Sequence, residues 1–289
     1  MGKGATGVTG GDSPTVRRRE LGALLRTLRT EAGMTVEQVA ERLLVSSSKI
    51  SRLETGRRGA NARDIRDLCD IYGVTDAARE HLMELAHEGR DQAWWQPFDL
   101  PYETYVGLEA AATEISDFEP GVFPGLLQTP EYARAVHEGA WPRLSAKVID
   151  QRIEVRRTRQ QALTRDNPPQ LRAIVDEAVL HRLIGGSRVM AHQLAHVIEA
   201  TQRKNITVQV MPYSIGAHPA LDSTFILLEF APPVPSVVYV EGLVGEIYLE
   251  RHGEVDRYKQ IFSQLAAIAM SPQQSVEFMA ETQTSFADI

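Results

Sequence analysis

Apolar residues recur at helical spacing through the first ninety residues of the chain. The first stripe lies on one face of a helix that Gly33 can close in a left-handed conformation. It consists of Leu21, Leu24, Leu25 and Leu28. Four further stripes share this spacing: Val36, Val39, Ala40 and Leu43; Ile50 and Leu53; Ile65, Leu68, Cys69 and Tyr72; and Ala78, Leu82, Leu85 and Ala86. The pattern predicts a mainly α bundle of five helices over residues 17–89, after a flexible, glycine-rich leader over residues 1–16.

Two of these predicted helices meet at a tight turn within residues 31–58. Thr35 followed by Gln38 has the pattern of a capping box, which would start the first of the two. Ser46 can cap the second, whose Ile50 and Leu53 then face inward. The residues between those anchors are left facing outward: Ser47, Ser48, Lys49, Ser51 and Arg52. A unit of this kind presents its second helix to the major groove of DNA.

Residues 20–73 resemble the Xre/Cro/C1-type helix-turn-helix domain. The matching positions are Gly33, Thr35, Ala40, Ser46, Ile50, Ser51 and the exit Leu53-Glu54-x-Gly56. The resemblance implies that base edges are contacted by Ser47, Ser48, Ser51 and Arg52. It implies that phosphates are contacted by Thr35, Gln38, Lys49, Arg57 and Arg58. Val36 departs from the family, which commonly has a phosphate-binding glutamine at this position. A homodimer would read a palindromic operator in double-stranded DNA.

Charge is distributed unevenly between this region and the remainder of the chain. Residues 17–66 contain twelve Arg or Lys against six acidic residues, a net charge of +6. The whole chain carries −7, which leaves −13 outside this region. A generic helical bundle with a solvated arginine-rich face would also be basic, but it would not explain three consecutive serines at a helix start. The distribution favours DNA binding confined to one end of the chain.

Length and composition set the outer bounds. With 289 residues and 43% hydrophobic residues, the chain can build two domains, each with its own core. Cys69 is the single cysteine, so no disulfide can form within the chain, and its place on an apolar stripe predicts a buried thiol. The sequence contains neither a secretory signal pattern nor an apolar run of membrane-spanning length, and we therefore expect a cytoplasmic protein.

An aromatic and proline-rich segment interrupts the helical pattern after residue 90. It contains Trp94, Trp95, Pro97, Phe98, Pro101, Tyr102 and Tyr105, which would either hold a linker against a domain surface or line a ligand pocket. Beyond it, helices are predicted over residues 102–115, 145–164, 177–183, 189–201 and 254–270, with further helices starting at Pro130 and Pro272. Strands are predicted over residues 171–175, 206–211, 223–230 and 237–240. Residues 90–289 should therefore form an α+β domain, a small mixed sheet wrapped by helices.

Four segments of this second region carry a further resemblance. They are WWQP, FEPGVFPGLLQTPEYARAV, QRIEVRRTRQ and LRAIVDEAVLHR. Together they resemble the DUF5753 domain that follows the helix-turn-helix in WhiJ-like actinobacterial regulators, over about residues 90–275. The resemblance implies a regulatory domain that dimerises, binds a ligand or binds a small DUF397-like or BldB-like partner protein, in an arrangement similar to an antitoxin and toxin pair.

One helical face carries residues that could bind a metal ion. His192, His196 and Glu199 fall at i, i+4 and i+7, a spacing that metal sites use. Gln193 stands where the HExxH pattern requires glutamate, and no fourth ligand is evident. We therefore expect from the sequence that this protein binds neither a metal ion nor a cofactor.

Two other polar groups are candidates for chemistry. Asp176, Glu177, His181 and Arg182 could supply acid-base groups, although a polar network that anchors a strand to a helix is favoured. The loop with Gly216, His218, Pro219 and Asp222 could rim a pocket or form a plain turn. Because no nucleophile or phosphate-binding pattern accompanies them, we expect a transcriptional regulator without catalytic residues. The alternative is a small-molecule-binding or hydrolytic C-terminal domain that the DNA-binding domain localises.

Overall fold

The structure, a computed structural model, describes residues 13–140 and 143–286. These residues form two compact units. The first contains the described residues up to Ala112 together with Phe230–Pro235, and the second contains Thr113–Glu229 and the described residues from Ser236. No helix among the residues described is both long and apolar enough to cross a bilayer.

The first unit confirms the predicted helical bundle and adds one helix to it. Its helices are α1 (Pro14–Glu31), α2 (Val36–Arg42), α3 (Ser47–Glu54), α4 (Ala62–Tyr72), α5 (Asp76–Glu88) and α6 (Glu103–Ala111). Their common core contains Leu25, Val39, Ile50 and Ile65, each no more than 1% exposed. Cys69 lies in the same core, as predicted, and burial raises the pKa of its thiol.

The predicted flexible leader, residues 1–16, largely falls outside the described residues, but its last four residues are ordered and buried. Helix α1 begins at Pro14, and Pro14, Thr15 and Val16 are buried. The Ser13 hydroxyl donates a hydrogen bond of 2.6 Å to the Gly107 carbonyl. Packing against α6 supplies the contacts that bury residues 13–16, and a local sequence pattern does not reveal such contacts.

The aromatic segment packs within the first unit. Trp95 is 3% exposed, and Trp94 meets it edge-on with ring centroids 5.5 Å apart. A β-carbon added at Gly107 would lie 2.9 Å from the Trp95 ring, so the indole lies directly against the backbone of α6. The domain boundary predicted at residues 89 and 90 consequently falls inside this compact unit, which extends to Ala112.

The second unit is an α+β domain built on one six-stranded mixed sheet. The strands are β1 (Glu114–Glu119), β2 (Gln170–Asp176), β3 (Ile206–Met211), β4 (Phe225–Glu229), β5 (Val237–Gly242) and β6 (Gly245–Leu249), and their order in the sheet is β3-β2-β1-β4-β5-β6. Strands β1, β2 and β3 are parallel, whereas β4, β5 and β6 join antiparallel. The predicted mixed sheet is confirmed.

Among the described residues, six α-helices surround this sheet. They are α7 (Pro130–Glu138), α8 (Ala146–Gln160), α9 (Glu177–His181), α10 (Ser187–Ala200), α11 (His252–Ile268) and α12 (Pro272–Ser285). On one face of the sheet, Phe118 and Phe225 pack with Phe262 and Leu265 of α11. The predicted helix start at Pro130 is also confirmed, since α7 begins there and Thr129 caps it by accepting a hydrogen bond from the Tyr132 amide.

Candidate nucleic-acid interface

Helices α2 and α3 form the predicted helix-turn-helix, and α2 starts at the predicted capping box. The Gln38 amide donates to Thr35 Oγ1 at 3.2 Å, and the Thr35 amide donates to Gln38 Oε1 at 2.8 Å. Each side chain thus satisfies one backbone donor that the helix start leaves without a partner inside the helix. Both side chains are exposed to solvent.

The turn between the two helices contains a strained leucine. Leu44 has φ +53°, in the left-handed region, and its side chain is 93% exposed. The Val45 amide closes the turn by donating to the Ala40 carbonyl at 2.9 Å. Ser46 then caps α3, because its hydroxyl oxygen accepts from the Lys49 amide at 3.3 Å, as the sequence predicted. A leucine in this conformation costs about 1–2 kcal/mol relative to right-handed backbone.

Helix α3 has one buried side and one solvent side. Ile50 and Leu53 are 1% and 3% exposed and form the inner side, as predicted. Ser48, Ser51 and Arg52 are exposed on the outer side. Ser47 is half-buried at the first position of the helix. The outer side therefore offers two hydroxyl groups and a guanidinium, which are groups that can bond to base edges.

The position of α3 depends on a glycine that the sequence reading did not single out. A β-carbon at Gly22 of α1 would lie 2.6 Å from the Leu53 carbonyl oxygen and 2.7 Å from that of Glu54. Only glycine allows α1 to approach the end of α3 so closely. A signal was available in the sequence, since a glycine inside a helical stripe marks a close approach of another backbone.

An ion pair holds the same end of α3. Arg29 Nε donates to Glu54 Oε1 at 2.6 Å, and Arg29 Nη2 donates to Glu54 Oε2 at 3.0 Å. The hydrogen bond with Glu54 raises the pKa of Arg29. Arg29 Nη1 also donates to the Met34 carbonyl at 2.7 Å. This arginine was counted among the phosphate-attracting residues, but it serves to join α1, the loop before α2 and α3.

Lys49 is the predicted phosphate contact whose side chain is already engaged. Its Nζ donates to Asp64 Oδ1 at 2.6 Å, and both side chains are largely buried. Asp64 Oδ2 accepts from the Asn61 amide and completes the capping box of α4. Lys49 therefore links α3 to the start of α4.

The remaining predicted phosphate contacts lie just after α3. Arg57 and Arg58 are exposed in the loop that leads to α4. The Arg58 amide donates to the Arg52 carbonyl at 3.0 Å, which keeps this loop against the end of α3. Exposed cations thus flank the outer side of α3, as a DNA-binding surface requires.

In the second unit, the cluster around Asp176 is the favoured polar network. Asp176 caps α9 by accepting from the Ala178 amide at 2.8 Å. Glu177 Oε2 accepts from the Tyr213 amide at 2.8 Å, and His181 Nε2 lies 3.5 Å from Glu177 Oε1. These contacts join α9 to the segment that follows β3, and Arg182 follows α9 as an exposed residue.

The three residues considered for metal binding do not form a metal site. His192 Nδ1 lies 4.0 Å from Glu131 Oε2 on α7, whereas His196 and Glu199 line a separate cavity. In the part of the chain that is described, no group of three or more His, Cys, Asp or Glu side chains is placed to hold a metal ion. Gln193 is completely buried.

The loop between β3 and β4 forms a turn and also borders a cavity, so it combines the two predicted alternatives. His218 Nδ1 accepts from the Ala220 amide at 3.4 Å, and the His218 carbonyl accepts from the Leu221 amide at 3.2 Å. Gly216 has φ +65°, and Pro219 and Asp222 are exposed. One side of the turn, at Pro219 and Ala220, borders a shallow cavity of about 320 Å³.

Comparison with known families agrees with this architecture. The model of a helix-turn-helix domain matches residues 20–82, which makes the first unit a helix-turn-helix domain and supports a DNA-binding regulator. The model described as a domain of unknown function, DUF5753, matches residues 102–281, more than half of the chain. The protein therefore belongs to the DUF5753 family, and both predicted resemblances are confirmed. No curated protein matches the chain.

Proposed function

We propose that the protein is a sequence-specific transcriptional regulator of the Xre type that acts in the cytoplasm and binds double-stranded operator DNA through α3. The observation that carries the proposal is the two-sided character of α3. Ile50 and Leu53 anchor one side in the core, while Ser48, Ser51 and Arg52 are exposed on the other. A short capped helix with this distribution has the dimensions and the polar groups of a recognition helix in the major groove.

The proposed roles divide between bases and phosphates. The base contacts are Ser47, Ser48, Ser51 and Arg52. The phosphate contacts are Thr35, Gln38, Lys49, Arg57 and Arg58. The capping box is compatible with phosphate binding, because Thr35 and Gln38 use their oxygens to accept backbone amides. The Thr35 hydroxyl hydrogen and the Gln38 amide hydrogens stay available to donate to phosphate oxygens. Lys49 would have to exchange Asp64 for a phosphate.

The test is DNA binding by the full chain, with the operator first identified by selection from random duplexes and affinity then measured by fluorescence anisotropy. We expect Arg52→Ala to cost about 1–3 kcal/mol and to relax preference at one base position. Lys49→Ala should weaken binding to DNA of every sequence by the same factor. The matched control is Arg157→Ala, which removes the same charge from an exposed residue of α8. Equal losses of DNA affinity for Arg52→Ala and Arg157→Ala on every sequence would exclude the proposed role of α3 in base recognition.

We further propose that the second unit joins two copies into a homodimer through β6. Strand β6 is at the edge of the sheet, and no strand of the described residues pairs with its outer side. Ile247 on this strand is 57% exposed, and Leu243 and Val244 at the adjoining hairpin tip are fully exposed. Antiparallel pairing of two β6 strands is two-fold symmetric. That symmetry suits a palindromic operator with half-sites about 34 Å apart.

Analytical ultracentrifugation tests this interface. We expect a dimer for the unmodified chain and a monomer for Ile247→Lys, because two like charges would meet between the paired strands. Leu221→Lys is the control, since Leu221 is equally exposed at 58% but lies in a loop outside the hairpin. A monomeric unmodified chain would contradict the proposal, and so would an Ile247→Lys variant that stays dimeric.

A small DUF397-like or BldB-like partner protein is proposed from the family resemblance alone. It would act as in an antitoxin and toxin pair, by changing the affinity of the regulator for its operator. Titration of such a protein into the complex of the full chain with operator DNA should shift the anisotropy midpoint. If such a protein neither binds the chain nor shifts this midpoint, the proposed partner is wrong.

A further inference from the structure

The second unit contains a cavity of about 460 Å³ that the DNA-binding proposal does not use. It opens between the end of α8, the segment before α7, the end of α10 and the start of β3. Its lining includes Leu127, Leu163 and Ile206 together with Gln160, Glu199 and Arg203. This volume falls within the range of sites that hold drug-sized ligands, about 300–1,000 Å³.

The floor of the cavity is apolar and held in place. Leu126, Leu127, Leu163 and Ile206 are all at most 5% exposed. The segment that carries the first two is clamped by Gln193, whose Nε2 donates to the Leu127 carbonyl at 2.7 Å. Gln193 Oε1 accepts from the Thr129 amide at 2.7 Å, so this buried amide spans both sides of the segment. The floor is therefore formed before any ligand arrives.

A second glutamine clamps the same segment from α8. Gln160 Nε2 donates to the Gln128 carbonyl at 2.7 Å. Because the amide nitrogen is used in this way, the amide oxygen of Gln160 is the group left to accept a hydrogen bond from a ligand. Gln160 thus contributes an oriented acceptor at the edge of the apolar floor.

The rim of the cavity carries balanced charge. Glu199 and Arg203 contribute one negative and one positive charge, and they are the two charged side chains among the lining residues. Burial lowers the pKa of His196 from 6.5, so its imidazole is neutral at pH 7. An anionic ligand would meet Glu199, and a cationic ligand would meet Arg203. Hydroxyl groups can instead donate to Glu199 or Gln160, and carbonyl groups can accept from Arg203.

We propose that this cavity binds an uncharged amphipathic small molecule, an apolar skeleton of about 20 non-hydrogen atoms that carries hydroxyl or carbonyl groups. The apolar skeleton covers the leucine and isoleucine floor, and its polar groups meet the rim. The inference stands apart from the proposed DNA binding, because every residue that carries it lies in the second unit.

The first experiment uses the full chain without DNA and the uncharged fluorescent probe N-phenyl-1-naphthylamine. We expect saturable binding with a stoichiometry of one and a blue-shifted emission. Ala200→Trp, which fills the cavity, should weaken binding at least tenfold. Thr164→Trp should have the same effect. Because Thr164 is an exposed residue of the lining, this variant replaces the first if Ala200→Trp does not fold. Ala280→Trp is the matched control on the exposed side of α12 and should bind as the unmodified chain does.

A second experiment tests the charge argument with anilinonaphthalene sulfonate, an anion of similar size. The unmodified chain should bind it at least tenfold more weakly than the uncharged probe. Glu199→Gln should improve anion binding at least fivefold and leave the uncharged probe within twofold. Failure of the unmodified chain to bind the uncharged probe would overturn the inference. The inference would also be overturned if the cavity-filling variants bound that probe as tightly as the unmodified chain. It would likewise be overturned if Glu199→Gln left the affinity for the anion unchanged.

Discussion

Lys49 Nζ donates a hydrogen bond to Asp64 Oδ1 at 2.6 Å, and this contact joins α3 to the first turn of α4. The lysine is the first basic residue of α3, and the carboxylate that neutralises it comes from a neighbouring helix. A phosphate that approached Lys49 would have to compete with Asp64. If Lys49 contacts a phosphate as proposed, we expect Asp64 to reduce its contribution to DNA binding at any given salt concentration.

Removal of that competitor should strengthen binding to DNA of any sequence. In Asp64→Asn, Lys49 can pair with a phosphate, and the amide oxygen can still accept from the Asn61 amide. We expect the slope of log affinity against log salt concentration to steepen by up to about 0.9, the value for one complete phosphate contact, because Asp64 no longer competes for Lys49. Anisotropy titrations at salt concentrations between about 50 and 200 mM would show this change of slope.

The control for this prediction removes the same charge from the same helix. Asp67 pairs with Arg63 at 3.7 Å, and Arg63 is 86% exposed. Asp67→Asn should therefore leave the salt slope nearly unchanged. A common slope for Asp64→Asn and Asp67→Asn would mean that Asp64 does not compete with a phosphate for Lys49.

Leu44 offers a test of strain in the turn between α2 and α3. Glycine adopts its φ of +53° without steric cost, so Leu44→Gly should stabilise the first unit. We expect a gain of about 0.5–1 kcal/mol in the free energy of unfolding, measured in urea by the fluorescence of the buried Trp95. Leu44→Ala removes the side chain but keeps a β-carbon in the same conformation. If alanine stabilised the unit as much as glycine, exposure of the leucine side chain would be the cause and backbone strain would not.

His137 should make the second unit sensitive to acid. Burial, with smaller contributions from Arg156 and Arg152, lowers the pKa of His137 from 6.5 to about 4. The folded state thus binds a proton less readily than the unfolded state. The neutral imidazole contributes stability that is complete above pH 6.5 and is lost as the pH falls toward 4.

His137→Gln cannot take up this proton, so its stability should change less than that of the unmodified chain over the same pH range. We expect a difference on the order of 1 kcal/mol between pH 7 and pH 4, because solvent screens part of the effect. Chemical denaturation of both proteins at the two pH values measures it. Parallel loss of stability in the two proteins would show that another group is responsible.

Local signals in the sequence located most helix starts. Thr35 with Gln38 and Ser46 act as predicted caps, and α12 starts at the predicted Pro272, since a helix start depends on residues only three positions apart. The helix predicted over residues 254–270 is α11, which begins two residues earlier, because its apolar stripe is long and regular. The exposed side of α3, which we propose contacts DNA bases, was predicted from residue spacing within the same short range.

Strands were harder to predict where their burial depends on distant partners. Strand β1 was missed, and a helix was extended to Ile115 across its first residues, because Ser116 and Asp117 give the segment a polar appearance. Both are nevertheless buried, since β1 pairs with β2 on one side and with β4 on the other. Strand β6 was missed as well, and its formation depends on pairing with β5.

By itself, the sequence determined the helical bundle, its caps, the buried cysteine and the serine-rich face of α3, because each depends on spacing within one or two turns of chain. Only the tertiary structure decided that Lys49 is paired with Asp64, that Gly22 admits the end of α3, and that a cavity lies beside His196. These features join residues that are far apart in the chain or depend on space left between packed elements. Side-chain pairing and packing volume are properties of the folded molecule, and a one-dimensional pattern does not contain them.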